Sequence, residues 1–233
     1  MLQKKSKYFF KSKYFLSIAA TDTSSASGIQ QDLRMSQRLG FWGLSAITAI
    51  TSQSFNSAES IDILSEKTFQ SQLEIIFKNF EISAIKIGVL PTIRMANILI
   101  KYLDSINCPV VYDPVSATSS GMDLLSDNIS DIYKVLQSKC TVVTPNLPEY
   151  KVIKDVNSSC YIYIKGGHSD KSKIVEYLIS GEHETKFEFE RHNWTYSRGT
   201  GCAFSSLLSM YLVDNKVEIA CRKAHETLVE IYK

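Results

Sequence analysis

The chain has 233 residues, 44% of them hydrophobic and 21% charged, with a formal net charge of +2. That length buries a sizeable core in one domain, and the composition is ordinary for a globular protein. The charge is too small to argue for nucleic acid, and much of the basic excess sits at Lys4, Lys5, Lys7, Lys11 and Lys13. These lysines interrupt every apolar run near the N-terminus, which excludes a signal-peptide core or a membrane span there. Residues 1–14 are therefore expected to be a basic extension, and residues 15–233 a single domain.

The first apolar run, residues 15–20, reads as a strand, and residues 28–39 as a helix stopped by Gly40. Residues 44–51, rich in Ile and Thr, read as one buried strand. Phe69, Leu73, Ile76, Phe77 and Phe80 recur at helical spacing. Strand, helix and strand follow at residues 84–89, 93–103 and 110–112, then a helix at 129–136 and strands at 141–143 and 161–164. Residues 174–179 and 186–190 read as a hairpin, its second arm strictly alternating. Two helices close the chain. Repeated strand–helix alternation predicts an α/β fold, with a mostly parallel sheet covered on both faces.

In such sheets ligands bind beyond the carboxyl ends of the strands. The unusual residues fall there: Thr21 to Gly28 after the first strand, Gln53 after the second, and Gly88 and Val89 after the third. Asp113-Pro114 follows the fourth, Thr144-Pro145-Asn146-Leu147-Pro148-Glu149 the fifth, and Lys165-Gly166-Gly167-His168 the sixth. Each alone is ordinary turn chemistry. Their gathering on one rim is what points to a site.

Gly199-Thr200-Gly201-Cys202 stands directly before an apolar helix. Two glycines allow a tight turn and close approach to a ligand, and a helix N-terminus attracts anions. The same field lowers the pKa of a thiol in the first turn, so Cys202 is expected to be partly thiolate near neutral pH. An anion cradle beside a basic sulfur suggests phosphoryl transfer to a hydroxyl. The other four cysteines (Cys108, Cys140, Cys160 and Cys221) lie in apolar surroundings and form no close pairs. No disulfide framework or zinc site is expected, the four histidines show no metal spacing, and the expected compartment is a reducing cytoplasm.

The segments Ala20-Thr21-Asp22-Thr23-Ser24, Gly28-Ile29-Gln30 with Asp32-Leu33, Ile47-Thr48-Ala49 with Gln53, and Lys86-Ile87-Gly88 carry a resemblance. Asp113-Pro114-Val115, residues 144–149, residues 165–168 and residues 199–202 complete it. With these the chain resembles the hydroxymethylpyrimidine/phosphomethylpyrimidine kinases of thiamine biosynthesis, in the ribokinase-like superfamily. The segments keep the family's order and span nearly all of the chain beyond the extension.

The resemblance implies a three-layer α/β/α sandwich. It also implies ATP-dependent phosphorylation of 4-amino-5-hydroxymethyl-2-methylpyrimidine and then of its monophosphate. Cys202 matches the catalytic base, and Gly199, Thr200 and Gly201 match the anion hole. Gln53 and the backbone at Ala20 match pyrimidine contacts, with Asp22, Asp32 and Val89 at neighbouring pocket positions. Lys165, Asn146 and Thr200 match the ATP phosphate side, and Asp113 and Glu149 the acidic pair near Mg2+. The implied partners are the small pyrimidine and ATP, with no nucleic acid or membrane and with room for a homodimer.

The chain also departs from the pattern. Ser25 and Ala26 stand where many relatives have two glycines, and Ala20 where they have one. The lysine usual before Ser-Gly is missing near Ser120-Gly121, and Arg198 replaces a common histidine. The stretch from Glu149 to Tyr161 is expected to be too short for the helix relatives carry there. Two alternatives stay open: a pyridoxal-type kinase of the same superfamily, and a non-catalytic relative that binds a pyrimidine or nucleotide.

Overall fold

Strand β1 (Tyr14–Ala19) is buried at five of its six positions, as a strand covered on both faces must be. The computed structural model describes residues 13–118, 120–156, 159–166, 173–192 and 198–233. β1 pairs in parallel with β2 (Trp42–Ile47) on one side and β5 (Ile82–Ile87) on the other. β6 (Val110–Tyr112), β7 (Val142–Val143) and β8 (Tyr161–Ile164) continue the parallel run. An antiparallel hairpin of β9 (Lys173–Ser180) and β10 (His183–Glu190) finishes the edge. The order is β10-β9-β8-β7-β6-β5-β1-β2.

Helices cover both faces. On one, α2 (Glu66–Asn79), α3 (Ile93–Leu103) and α4 (Ile129–Leu136) pack Phe69, Leu99 and Ile132 against Leu16, Ile85 and Tyr112. On the other, α1 (Gly28–Arg38), α6 (Thr200–Tyr211) and α7 (Val217–Tyr232) pack Met35, Leu207 and Leu228 against Phe15, Val111 and Tyr163. The expected α/β/α sandwich is present. Among the described residues no helix is long and apolar enough to cross a membrane.

Two expectations are corrected. The strand expected over residues 44–51 is two strands that break at Thr48. There the backbone N–H donates to Ala19 O at 3.0 Å and the hydroxyl to Val89 O at 2.7 Å. Beyond the break, β3 (Ala49–Gln53) leaves the main sheet and pairs antiparallel with β4 (Ala58–Ile63) as a separate ribbon. α5 (Leu147–Ile153), of seven residues, follows β7. The boundary drawn at residue 14 falls inside the fold, since Tyr14 opens β1 and Lys13 ion-pairs with Asp214. Lys4, Lys5, Lys7 and Lys11 lie outside the described residues, as do Gly167 and His168.

Candidate active site

The carboxyl ends of the parallel strands open on one rim, where two helix N-termini meet. Gly199 caps α6 in the left-handed region at φ +78°, and a Cβ there would fall 1.7 Å from Ala26 O. Only glycine permits that contact between the turn and the segment leading into α1. Gly28, at φ +63°, starts α1 just as tightly, because a Cβ would lie 2.5 Å from Ala20 O. Its N–H donates to the Cys202 sulfur. No N-cap side chain covers the first turn of α6, so the turn keeps the character of an anion site.

The expected thiolate is not favoured in the unliganded protein. Burial pushes the Cys202 thiol up, and the Asp113 and Asp32 charges add to that. Lys86 and the Gly28 N–H pull down but do not prevail.

Asp113 follows β6 and is fully buried, with a carboxylate that accepts from Lys165 Nζ at 2.6 Å, Ser205 Oγ at 3.2 Å and Thr144 Oγ1 at 3.3 Å. Burial raises its pKa, but Lys165 and Lys86 outweigh that and hold the carboxylate ionised. Lys165 in turn stays protonated, because Asp113 and Glu149 overcome the cost of its own burial. Its ammonium reaches the glycine turn: a Cβ on Gly201 would lie 3.4 Å from Lys165 Nζ.

Asn146 and Glu149 form a reciprocal cap on α5. Asn146 Oδ1 accepts from Glu149 N–H and Glu149 Oε2 from Asn146 N–H, each at 2.8 Å. Burial pushes Glu149 up to about 7; Lys165 opposes this, Asp113 reinforces it, and the Asn146 N–H opposes it. Among the described residues no cluster of three His, Cys, Asp or Glu side chains is placed to hold a metal ion.

Beneath the turn lies an ion pair whose cation, Lys86, is absent from the sequence-based set of site residues. Lys86 and Asp32 are both fully buried, with Nζ 2.9 and 3.0 Å from the carboxylate oxygens. Ser17 and Ser206 hydroxyls also donate to Asp32. Burial disfavours the Lys86 charge, but Asp32, Cys202 and Asp113 more than restore it, and its pKa ends raised. Asp32, expected at the pocket, instead supports it from below. Its carboxylate is committed to one cation and two hydroxyls. The ammonium folds back under Gly88, where a Cβ would lie 2.8 Å away.

Asp22 is likewise turned inward. Its two oxygens accept from the N–H and hydroxyl of Ser24 and of Ser27, at 2.6–2.9 Å, and so shape the loop entering α1. Ala20 O accepts from Ile29 N–H at 3.0 Å. Ala20 and Val89 join Ala49 and Leu124 in a small apolar cluster, to which Ile61 of the ribbon adds its side chain. Gln53 ends β3 half-buried, its N–H donating to Thr23 Oγ1 at 2.8 Å and its side-chain oxygen accepting from Arg198.

The phosphomethylpyrimidine kinase family profile matches residues 22–160 and 152–232. The chain belongs to that family. A hydroxymethylpyrimidine/phosphomethylpyrimidine kinase of Haemophilus influenzae is 32% identical over 224 residues, covering 86% of this chain and 83% of the relative. One from Staphylococcus aureus is 30% identical over 227 residues, with coverage of 88% and 82%. The crystal structure of a phosphomethylpyrimidine kinase from Clostridium difficile superposes with a TM-score of 0.79 at 26% identity, over 95% of this chain and all of that one. A Staphylococcus aureus pyridoxal kinase in complex with AMP-PCP and pyridoxal gives a TM-score of 0.82 at 26% identity, over 96% and 88%.

Two departures of this phosphomethylpyrimidine kinase relative have visible consequences. Ser25 takes φ +59°, a left-handed conformation that a side chain disfavours and glycine adopts freely. Arg198 reaches the ribbon, an interaction that a list of site motifs does not contain. Lys86 is detectable in principle: a lysine between Ile85 and Ile87 in the buried part of a strand requires a buried partner.

Proposed function

We propose that the chain transfers the γ-phosphoryl group of ATP to the hydroxymethyl group of 4-amino-5-hydroxymethyl-2-methylpyrimidine, and then phosphorylates the resulting monophosphate. The observation that carries this reading is Cys202 at the joined N-termini of α1 and α6, within one charged cluster with Lys165 and Asp113. Family membership and the names of the relatives supply the substrate class.

Cys202 takes the hydroxyl proton as the oxygen bonds to the γ-phosphorus. The bond from that phosphorus to the β–γ bridging oxygen breaks, and ADP leaves with the electron pair. Because burial holds the thiol protonated in the free protein, the base must first lose its own proton. The Gly199-Thr200-Gly201 turn and Lys165 stabilise the charge on the transferring group. Asp32 and Lys86 keep the floor beneath the sulfur fixed.

Asp113 and Glu149 offer oxygen ligands, the type magnesium takes, but both Asp113 oxygens are engaged and Lys165 already balances its charge. This donor set fits an ion that arrives with ATP and is reached through water. Asp113 and Glu149 would hold it there, and it would neutralise phosphate charge.

The pyridoxal kinase neighbours give a second reading some footing. Steady-state assays of the purified chain with the pyrimidine, its monophosphate and pyridoxal decide between the two. A higher kcat/KM for the pyrimidine supports the main reading. Preference for pyridoxal supports the second, and no turnover on any of the three supports a non-catalytic binder.

A further inference from the structure

Three segments close a ring around the proposed pyrimidine site, and Arg198 is the link that completes it. Thr23 of the loop entering α1 ties to Gln53 of the ribbon through the backbone, in both directions. Ala26 of the same loop packs on Gly199, leaving no space for a Cβ. Arg198, immediately before Gly199, then returns to the ribbon. Its Nη2 donates to Gln53 Oε1 at 2.5 Å and its Nη1 to Phe55 O at 2.8 Å.

A guanidinium has donors and no acceptor, so only the oxygen of the Gln53 amide can face it. The two nitrogens also bracket the ribbon at two points, which a lysine ammonium has no fixed fork to reproduce. Among the described residues the Gln53 NH2 donates to no protein group. We propose that Arg198 is a positioning residue that orients the Gln53 amide, so that the pocket presents an N–H donor to a ring-nitrogen acceptor of the substrate. This rests on the reading of Gln53 as a pyrimidine contact. It adds to that reading a reason for the amide's direction and a requirement on the substrate ring. Unlike Cys202 or Lys165, Arg198 acts on the reaction only through Gln53.

The test compares wild type, Gln53→Ala, Arg198→Met and Arg198→Lys. The substrates are the pyrimidine and its two mono-deaza analogues, each with one ring nitrogen replaced by C–H. KM for ATP and the thermal midpoint are followed in parallel. Wild type should lose about tenfold in kcat/KM on one analogue and little on the other, the size of one hydrogen bond. Arg198→Met frees the amide to turn, so KM for the pyrimidine should rise several-fold. Discrimination between the analogues should shrink to within about twofold, with KM for ATP and the thermal midpoint nearly unchanged. Arg198→Lys should move both quantities the same way by less, and it serves if the methionine variant folds poorly.

If Gln53→Ala raises the pyrimidine KM while both Arg198 variants keep wild-type KM and discrimination, the positioning role is overturned and the pocket reading stands. If Gln53→Ala leaves the pyrimidine KM unchanged, the pocket reading and the positioning role fall together. Equal losses for ATP and pyrimidine in Arg198→Met also overturn the proposal, because a general disturbance of the turn would produce them.

Discussion

The two ends of the site are built by opposite means. At the phosphate end, Asp113, Asp32 and Lys86 are fully buried and carry their charges inside the fold, each paired and hydrogen-bonded. At the proposed ring end, Gln53 closes a ribbon that stands outside the main sheet, and the Thr23 and Arg198 that bind it from two other segments are also solvent-accessible. A buried pair is costly to break, because the surviving charge has no solvent to turn to. A hydrogen bond near the surface costs far less when lost. On the proposed assignment of the two ends, the fold makes the chemistry of phosphoryl transfer rigid and leaves the choice of substrate adjustable.

The strongest way to test that contrast is to remove one charge from the floor. Lys86→Met leaves the Asp32 carboxylate buried with two hydroxyls and no cation, and should destabilise the protein by about 3–5 kcal/mol. Denaturant titration measures this. A loss comparable to that of an exposed ion pair such as Arg94–Glu66, below about 1 kcal/mol, would erase the distinction between the two ends.

Glu149 sharpens it next. Its pKa is pushed from 4.5 to about 7, mainly by burial, so the native state binds its proton more tightly than the unfolded chain does. The stabilisation is complete below pH 4.5 and is lost as pH rises through about 7, a difference on the order of 3 kcal/mol. Glu149→Gln keeps the cap and stays neutral. With no divalent ion added, wild type should lose stability relative to this variant between those pH values. Parallel stability curves would show that the carboxyl is solvated after all.

Ser25 offers the smallest effect, on the ring side. Ser25→Gly removes the left-handed strain at φ +59° but adds freedom to the unfolded chain, so a gain below about 1 kcal/mol is expected. Thermal and denaturant unfolding would register it, and a clear loss would mean that the serine side chain holds the loop.

Much of the sandwich was legible because buried parallel strands read as continuous apolar runs, and the helices between them carry a 3.6-residue period. The ribbon was not. Thr48 lies inside the run Leu44-Ser45-Ala46-Ile47-Thr48-Ala49-Ile50-Thr51, whose apolar and β-branched residues continue on both sides of it, and nothing in the residues marks the change of partner from Ala19 to the ribbon. β4 was missed because it is mostly exposed and lacks a two-residue alternation. α5 carried a readable signal, Asn146 followed three residues later by Glu149, which is a cap pattern as well as a site motif. At the site, position on the rim was readable and side-chain direction was not. Asp22 and Asp32 stand where a ligand would reach them by sequence, yet both carboxylates face inward to serines and a lysine. Lys86 and Arg198, named only as parts of motifs or departures, are the residues that bind Asp32 at one end and Gln53 and Phe55 at the other.

The base is where the proposed chemistry is most exposed to test. We expect the acid limb of the kcat/KM profile for the pyrimidine in wild type to lie above the ordinary thiol range, because burial raises Cys202. Cys202→Asp should move that limb well below neutral pH. Cys202→Ala should lower the chemical step on the order of a hundredfold or more, with ATP binding near normal. The pH–rate profiles of these three proteins, measured together, test the role of Cys202 directly. A limb that stays in place in Cys202→Asp, together with near wild-type turnover in Cys202→Ala, would contradict it.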